Sequence, residues 1–154
     1  MWNELDKQVR VERQQLRQLL ETHRPLLHKC SGMEPDAIEL SALAAMLHAF
    51  YTGIENIFKR IEVELGEELP RGDGWHRQLL GAMTRHGRSR PPVISPSLEE
   101  ALRDYLSFRH VFRQAYTFQL KWARMSRLVL ECDATLGRLE RELDAFLKAR
   151  AGRQ

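Results

Sequence analysis

The stretch from Leu40 to Leu65, LSALAAMLHAFYTGIENIFKRIEVEL, decides the fold. Leu40, Leu43, Leu47, Phe50, Tyr51, Ile54, Ile57, Phe58, Ile61 and Leu65 recur at steps of three and four, the period of a helix and not of a strand. With its first turns from about Pro35 included, a helix of about 30 residues spans roughly 45 Å, which suits a bundle rather than a compact globule. Gly66 and Pro70 close it. At its start, Pro35 fits a first helical position and Asp36 supports the positive helix end.

The pattern continues outward in both directions. A first helix is expected from about Asn3 to Glu21, with Leu5, Val9, Leu16, Leu19 and Leu20 on one side; Pro25 ends or bends it, and Cys30-Ser31-Gly32 forms a turn. Downstream, Gly72 and Gly74 frame a turn, and Trp75 opens a short helix whose apolar face is Leu79, Leu80 and Met83. The run GRSRPPVISP, Gly87 to Pro96, reads as a loop. Ser97 is expected to start the next helix, with Ser97-x-x-Glu100 as a capping box and Leu98, Leu102, Leu106, Phe108, Phe112 and Ala115 following. A last helix is expected from about Trp122 to Ala149, through Met125, Leu128, Val129, Cys132, Leu136, Leu139, Leu143, Phe146 and Leu147. No Gly or Pro marks the boundary near Thr117–Lys121. No stretch alternates as a strand does. The expectation is an all-α, elongated bundle of four to five main helices, one domain over residues 1–154 with a loop at about 87–96.

Composition excludes several classes. Of the 154 residues, 43% are hydrophobic and 29% charged, the balance of a globular chain rather than a disordered one. No run of about 18 apolar residues suggests a membrane span. The first twenty residues are charged and polar, unlike a signal peptide. Cys30 and Cys132 lack CxxC spacing and read as reduced packing thiols of a cytoplasmic protein. Lys and Arg exceed Asp and Glu by only three, 24 against 21. The small total hides a division. Residues 30–68 hold eight acidic side chains against Lys59 and Arg60; residues 71–90 hold five arginines against Asp73; residues 103–127 hold six cations against Asp104. Two basic segments of this kind are either solvated helix faces or a surface for a phosphodiester backbone.

Other chemistries are missing from the sequence. There is no GxxxxGK[ST] or GxGxxG loop, no Glu-x-x-His pair and no HExxH, and the histidines are scattered, so neither a cofactor nor a metal is expected. Trp75-His76, after Asp73, can be read as a site, although a helix-start packing role is the more usual reading of Trp75. The stretch Tyr105 to Tyr116, YLSFRHVFRQAY, is different. On a continuous helix Arg109, Arg113 and Tyr116 fall at i, i+4 and i+7, with His110 and Gln114 on the adjoining stripe. Two guanidiniums, permanently charged and able to grip phosphate oxygens in pairs, beside a phenol and an imidazole read either as a phosphate site or, as spacing alone more often gives, as a solvent-facing helix stripe.

The same stretch resembles the signature of the HEPN superfamily, specifically of HepT-like toxins: an Arg, four to six residues, a His, any residue, a Tyr. Arg109 matches the Arg, His110 its polar neighbour and Tyr116 the Tyr. The segments LAAMLHAFYTGIENIFKRI, LPRGDGWHRQLLGAM, RPPVIS and LRDYLSFRHVFRQAY extend the resemblance over roughly residues 5–148. It implies a helical bundle that dimerises and joins two motifs in one cleft. It also implies metal-independent RNA cleavage, and a minimal nucleotidyltransferase antitoxin that transfers AMP from ATP to the motif tyrosine, Tyr116. Arg109 would hold the scissile phosphate, a histidine would assist attack of the RNA 2′-hydroxyl, and Arg113 would be a second phosphate contact.

The sequence departs from the motif at one place. The position of the motif His, five after Arg109, is Gln114. An amide exchanges no proton near neutral pH, although it donates and accepts hydrogen bonds. Three readings stay open: an inactive or weakly active natural member, an engineered substitution that silences a toxin, or a branch that uses His110. Beside the ribonuclease stand two other classes, a non-catalytic helical module that partners a nucleotidyltransferase and a structural helical dimer.

Overall fold

A computed structural model describes residues 2–114, 116 and 119–151, the side chains of residues 2, 3 and 151 excepted. Six helices follow in chain order: α1 (Trp2–Thr22), α2 (Arg24–Cys30), α3 (Ala37–Glu64), α4 (Trp75–Ala82), α5 (Pro96–Gln114) and α6 (Trp122–Ala151). No strand occurs among the described residues. The fold is thus the all-α bundle that the periodicity demands, with α2 as the helix the sequence reading lacks. Pro25 does not merely end α1: it sits in the first turn of α2, where its missing N–H is no loss. Ala115 and Thr117, placed by sequence on the apolar side of α5 and at the helix boundary, lie outside the described residues.

α3 is the central element. Asp36, not Pro35, begins it: the Asp36 carboxylate accepts from the Glu39 N–H (2.8 Å) while Glu39 accepts from the Asp36 N–H (3.0 Å), a reciprocal capping box. The helix buries Leu43, Leu47, Phe50, Tyr51, Ile54, Ile57, Phe58 and Ile61 against α1, α4, α5 and α6. Each fully buried Leu, Ile or Phe there contributes about 1.5–3 kcal/mol. By length and composition α3 passes for a membrane-crossing helix, the one such helix among the described residues, but its apolar side is covered as in the core helix of a bundle. α1 runs along α3 and comes close at Gly53, where an added Cβ would lie 2.6 Å from Leu16 Cδ2. Arginines 13 and 17 of α1 pair with Asp144, Asp133 and Glu140 of α6.

The start of α5 corrects the sequence reading. The cap is Ser95, whose Oγ accepts from the Leu98 N–H (3.2 Å), and Pro96 takes the first helical position. Ser97 is inside the first turn, so Ser97-x-x-Glu100 is no capping box. Between α4 and α5, residues 83–95 lack regular structure and are fastened to α3 by Arg90. That side chain is 2% exposed and its guanidinium meets Glu67 (2.8 Å), Glu62 (3.4 Å) and the carbonyls of Ala82, Arg85 and Pro91. Glu62–Arg90 and Glu55–Arg109 join the acidic helix to both basic segments within one chain. The complementarity of charge along the sequence is therefore satisfied internally and does not itself call for a second copy.

Candidate active site

Glu55 follows Tyr51 by one turn on the buried side of α3 and is 2% exposed. A carboxylate in that position needs partners, because burying an unpaired charge is expensive. α4 and α5 provide them. His76 Nδ1 lies 2.7 Å from Glu55 Oε2; Arg109 Nη1 lies 3.5 Å from Glu55 Oε1 and 3.2 Å from His76 Nδ1. One nitrogen cannot serve both neighbours in a neutral ring: Nδ1 either donates to the carboxylate or accepts from the guanidinium. The shorter, charge-assisted contact prevails, so Nδ1 carries the hydrogen and donates to Glu55. The guanidinium is then an ionic neighbour of the carboxylate, and Nε2 keeps the lone pair of the neutral ring.

Local sequence fixes the ring. Gly74, at φ +78°, caps α4 in a left-handed conformation that a residue with a Cβ resists, and Trp75-His76 follow at once. The Trp75 and His76 rings stack with centroids 3.7 Å apart and planes at 29°. Lys59 of α3 sits over the other ring system, 4.5 Å from the Trp75 centroid, as a cation–π contact.

Arg109 is only partly committed to Glu55. Its side chain is 12% exposed, and its Nε is buried with no hydrogen-bond partner. The nearby Tyr51 hydroxyl is also buried without a partner; desolvation and the charge of Glu55 push its pKa up, so it stays a neutral phenol. A cavity of about 480 Å³ opens between the start of α4 and the C-terminal half of α5, walled by His76, Arg77, Arg109, His110 and Arg113 with Leu106 and Val111. The cations reach beyond its wall. His48 of α3, packed against Phe112 at 5.6 Å, has its pKa lowered by burial and then by Arg109 and Arg113.

The residues singled out from sequence divide accordingly. Arg109, His110 and Arg113 line the one cavity. Gln114 is exposed and is not part of its wall; five residues along a helix set it about 140° around from Arg109. Tyr116 does not continue the stripe of Arg109 and Arg113. It lies beyond α5 and is tied to Gln119, whose N–H donates to the Tyr116 carbonyl (2.9 Å) and whose Oε1 accepts from the Tyr116 N–H (3.0 Å). The residue is 70% exposed. Sequence reasoning missed Glu55, and it weighed Trp75-His76 as a site but preferred packing for Trp75. The available signal was a lone acid inside the apolar recurrence Tyr51, Ile54, Phe58, a position that requires a partner.

An all-α bundle with a cationic cleft at the junction of two helices, and no phosphate loop, is the class of protein that this geometry defines. The particular family follows from comparison: residues 42–150 match a family model described as HepT-like protein, and the chain belongs to that family, within the HEPN superfamily. The match takes in α4, α5 and nearly all of α3 and α6, hence every residue of the cleft. No curated protein and no solved structure matches the chain.

Proposed function

We propose that this chain is the toxin component of a toxin–antitoxin pair, an endoribonuclease that works without a metal, as a single HepT-like domain. The observation that carries the reading is Arg109: a guanidinium fixed at a cavity wall, flanked by Arg77 and Arg113, with a buried donor still unmatched. That is the arrangement for holding a phosphodiester and stabilising charge that develops on its oxygens. RNA supplies its own nucleophile, the 2′-hydroxyl, so no cofactor is required. A homodimer would set two such cavities together. Its restraint would come from a minimal nucleotidyltransferase antitoxin that places AMP on Tyr116. Accessibility supports that assignment, since Tyr51 and Tyr105 are buried and Tyr116 is not. Residence in the cytoplasm accords with RNA as the substrate.

Incubation of the purified protein with single-stranded RNA, beside an Arg109→Ala variant, tests the reading. Cleavage that persists in EDTA and disappears with Arg109 supports it; RNA left intact by the wild type rejects it. A second reading, the non-catalytic module, is favoured by Gln114, which has no proton to exchange at the position of the motif His. It requires that the chain bind a nucleotidyltransferase yet show no Arg109-dependent cleavage.

A further inference from the structure

We infer that His76, oriented by Glu55 beside Arg109, is the general base of the cleft and takes over the proton transfer that Gln114 cannot perform. The inference rests on the ribonuclease reading above and goes beyond it by naming the group. Three constraints converge on this imidazole. Glu55 Oε2 binds Nδ1 at 2.7 Å and so selects the tautomer whose Nε2 is unprotonated. Trp75 covers one face of the ring at 3.7 Å and fixes its plane. The ring is about a quarter exposed, at 26%, and lines the cavity that Arg109 also lines, while Nε2 has no hydrogen-bond partner among the described residues. A base, its orienting carboxylate and a phosphate-binding cation within hydrogen-bond reach of one another form the constellation of a nucleophile-activating site.

The other imidazoles lack one of these features. His48 packs against Phe112 outside the cavity wall. His110 lines the cavity but has no carboxylate partner among the described residues, and it is exposed. The charged groups around His76 are Glu55 from α3, Arg77 from its own helix, and Arg109 with Arg113 from α5, while Lys59 of α3 lies over the neighbouring Trp75 ring. In the step itself, Nε2 removes the proton of the 2′-hydroxyl, the 2′ oxygen bonds to phosphorus, and the bond from phosphorus to the 5′ oxygen breaks. The 5′ oxygen takes a proton from solvent, and the imidazolium returns its proton to solvent. The products are a 2′,3′-cyclic phosphate and a 5′-hydroxyl, with no water consumed. Arg109 balances the charge on the phosphoryl oxygens throughout.

The test measures cleavage of a mixed-sequence, end-labelled single-stranded RNA by the full chain across pH 5–9. His76→Asn keeps an N–H for Glu55 yet cannot take a proton. It should lower the rate about 10²- to 10⁴-fold and abolish the ascending limb of the pH profile. His76→Gly should be equally slow and should regain activity with added imidazole, a response that a merely structural role would not give. Circular dichroism and the melting temperature establish that each variant is folded. A His76→Asn rate within twofold of wild type, an unaltered pH profile, or loss of activity in His110→Ala but not in His76→Asn overturns the inference and leaves the ribonuclease reading intact. A wild type that is inert until Gln114→His is introduced overturns the inference and, with it, the reading of this chain as an active ribonuclease. A wild type and a Gln114→His variant that are both inert overturn the two together.

Discussion

Replacing Arg90 with methionine should destabilise the fold more than any other surface-to-core change in the loop between α4 and α5. Arg90 is 4% exposed overall, and its guanidinium has five contacts: two carboxylates of the α3 end and its extension, and three carbonyls. Methionine retains most of the aliphatic volume, so the loss is electrostatic rather than a cavity. What remains is Glu62 and Glu67, both largely buried without their cation, and the Arg85 carbonyl just past α4 without its donor. Breaking a buried ion pair on one side costs about 3–5 kcal/mol. For a chain of this size about 2–4 °C accompanies each kcal/mol, so the melting temperature should fall by roughly 6–20 °C. Urea denaturation monitored by circular dichroism measures it. Because the penalty lies in the stranded carboxylates, adding Glu62→Leu and Glu67→Gln to Arg90→Met should restore more than half of it. A loss below about 1 kcal/mol for Arg90→Met, or a triple variant weaker than the single one, would refute this account.

Four further outcomes follow from particular residues. Burial and the neighbouring Glu67 raise the pKa of Glu62 to about 7, so the native state holds that proton more tightly than the unfolded chain; this contribution is complete below about pH 4.5 and is lost as pH rises through 7, and Glu62→Gln should flatten the stability profile across that window. Gly53→Ala should destabilise by about 1–2 kcal/mol in thermal melts, since the gain in helix propensity is smaller than the overlap of the new Cβ with Leu16; a stabilised variant would contradict the close approach of α1 and α3. Cys30 and Cys132 are buried, and burial pushes the Cys132 thiol up to about 11, so neither should react with iodoacetamide until the protein unfolds; rapid alkylation of the native chain would count against the packing described. With its cognate nucleotidyltransferase, ATP and Mg²⁺, the protein should acquire AMP on Tyr116 by peptide mass spectrometry and lose it in Tyr116→Phe; adducts on Tyr51 or Tyr105 would overturn the assignment.

The extent to which sequence revealed this molecule depended on the distance over which each feature is determined. α3 was legible because its apolar recurrence is local; its start was misread by placing Pro35 inside the helix, although the signal, Asp36 with Glu39, lies within four positions. Ser95 was passed over for Ser97 because a Ser-x-x-Glu pattern happens to begin at 97; the Pro at 96 was the better guide, since Ser-Pro places the cap before the first helical residue. α2 was missed because seven residues hold too few apolar positions to show a period. At the site, Arg109, His110 and Arg113 share a helix and could be grouped from spacing alone. Glu55 and His76 lie 54 and 33 positions from Arg109 and meet it only through packing of α3, α4 and α5. The Tyr116 stripe failed for the opposite reason: the periodic reading carried the helix to Tyr116, whereas α5 ends at Gln114 and the Tyr116 backbone bonds to Gln119 instead.

The most direct test of the central claim is the chemistry of the RNA ends. Wild-type protein, incubated with single-stranded RNA in EDTA, should yield fragments that bear 2′,3′-cyclic phosphate and 5′-hydroxyl termini, with Arg109→Ala reducing their rate of formation by about 10²-fold or more. RNA that stays intact under those conditions, or fragments whose appearance is indifferent to Arg109, would contradict it.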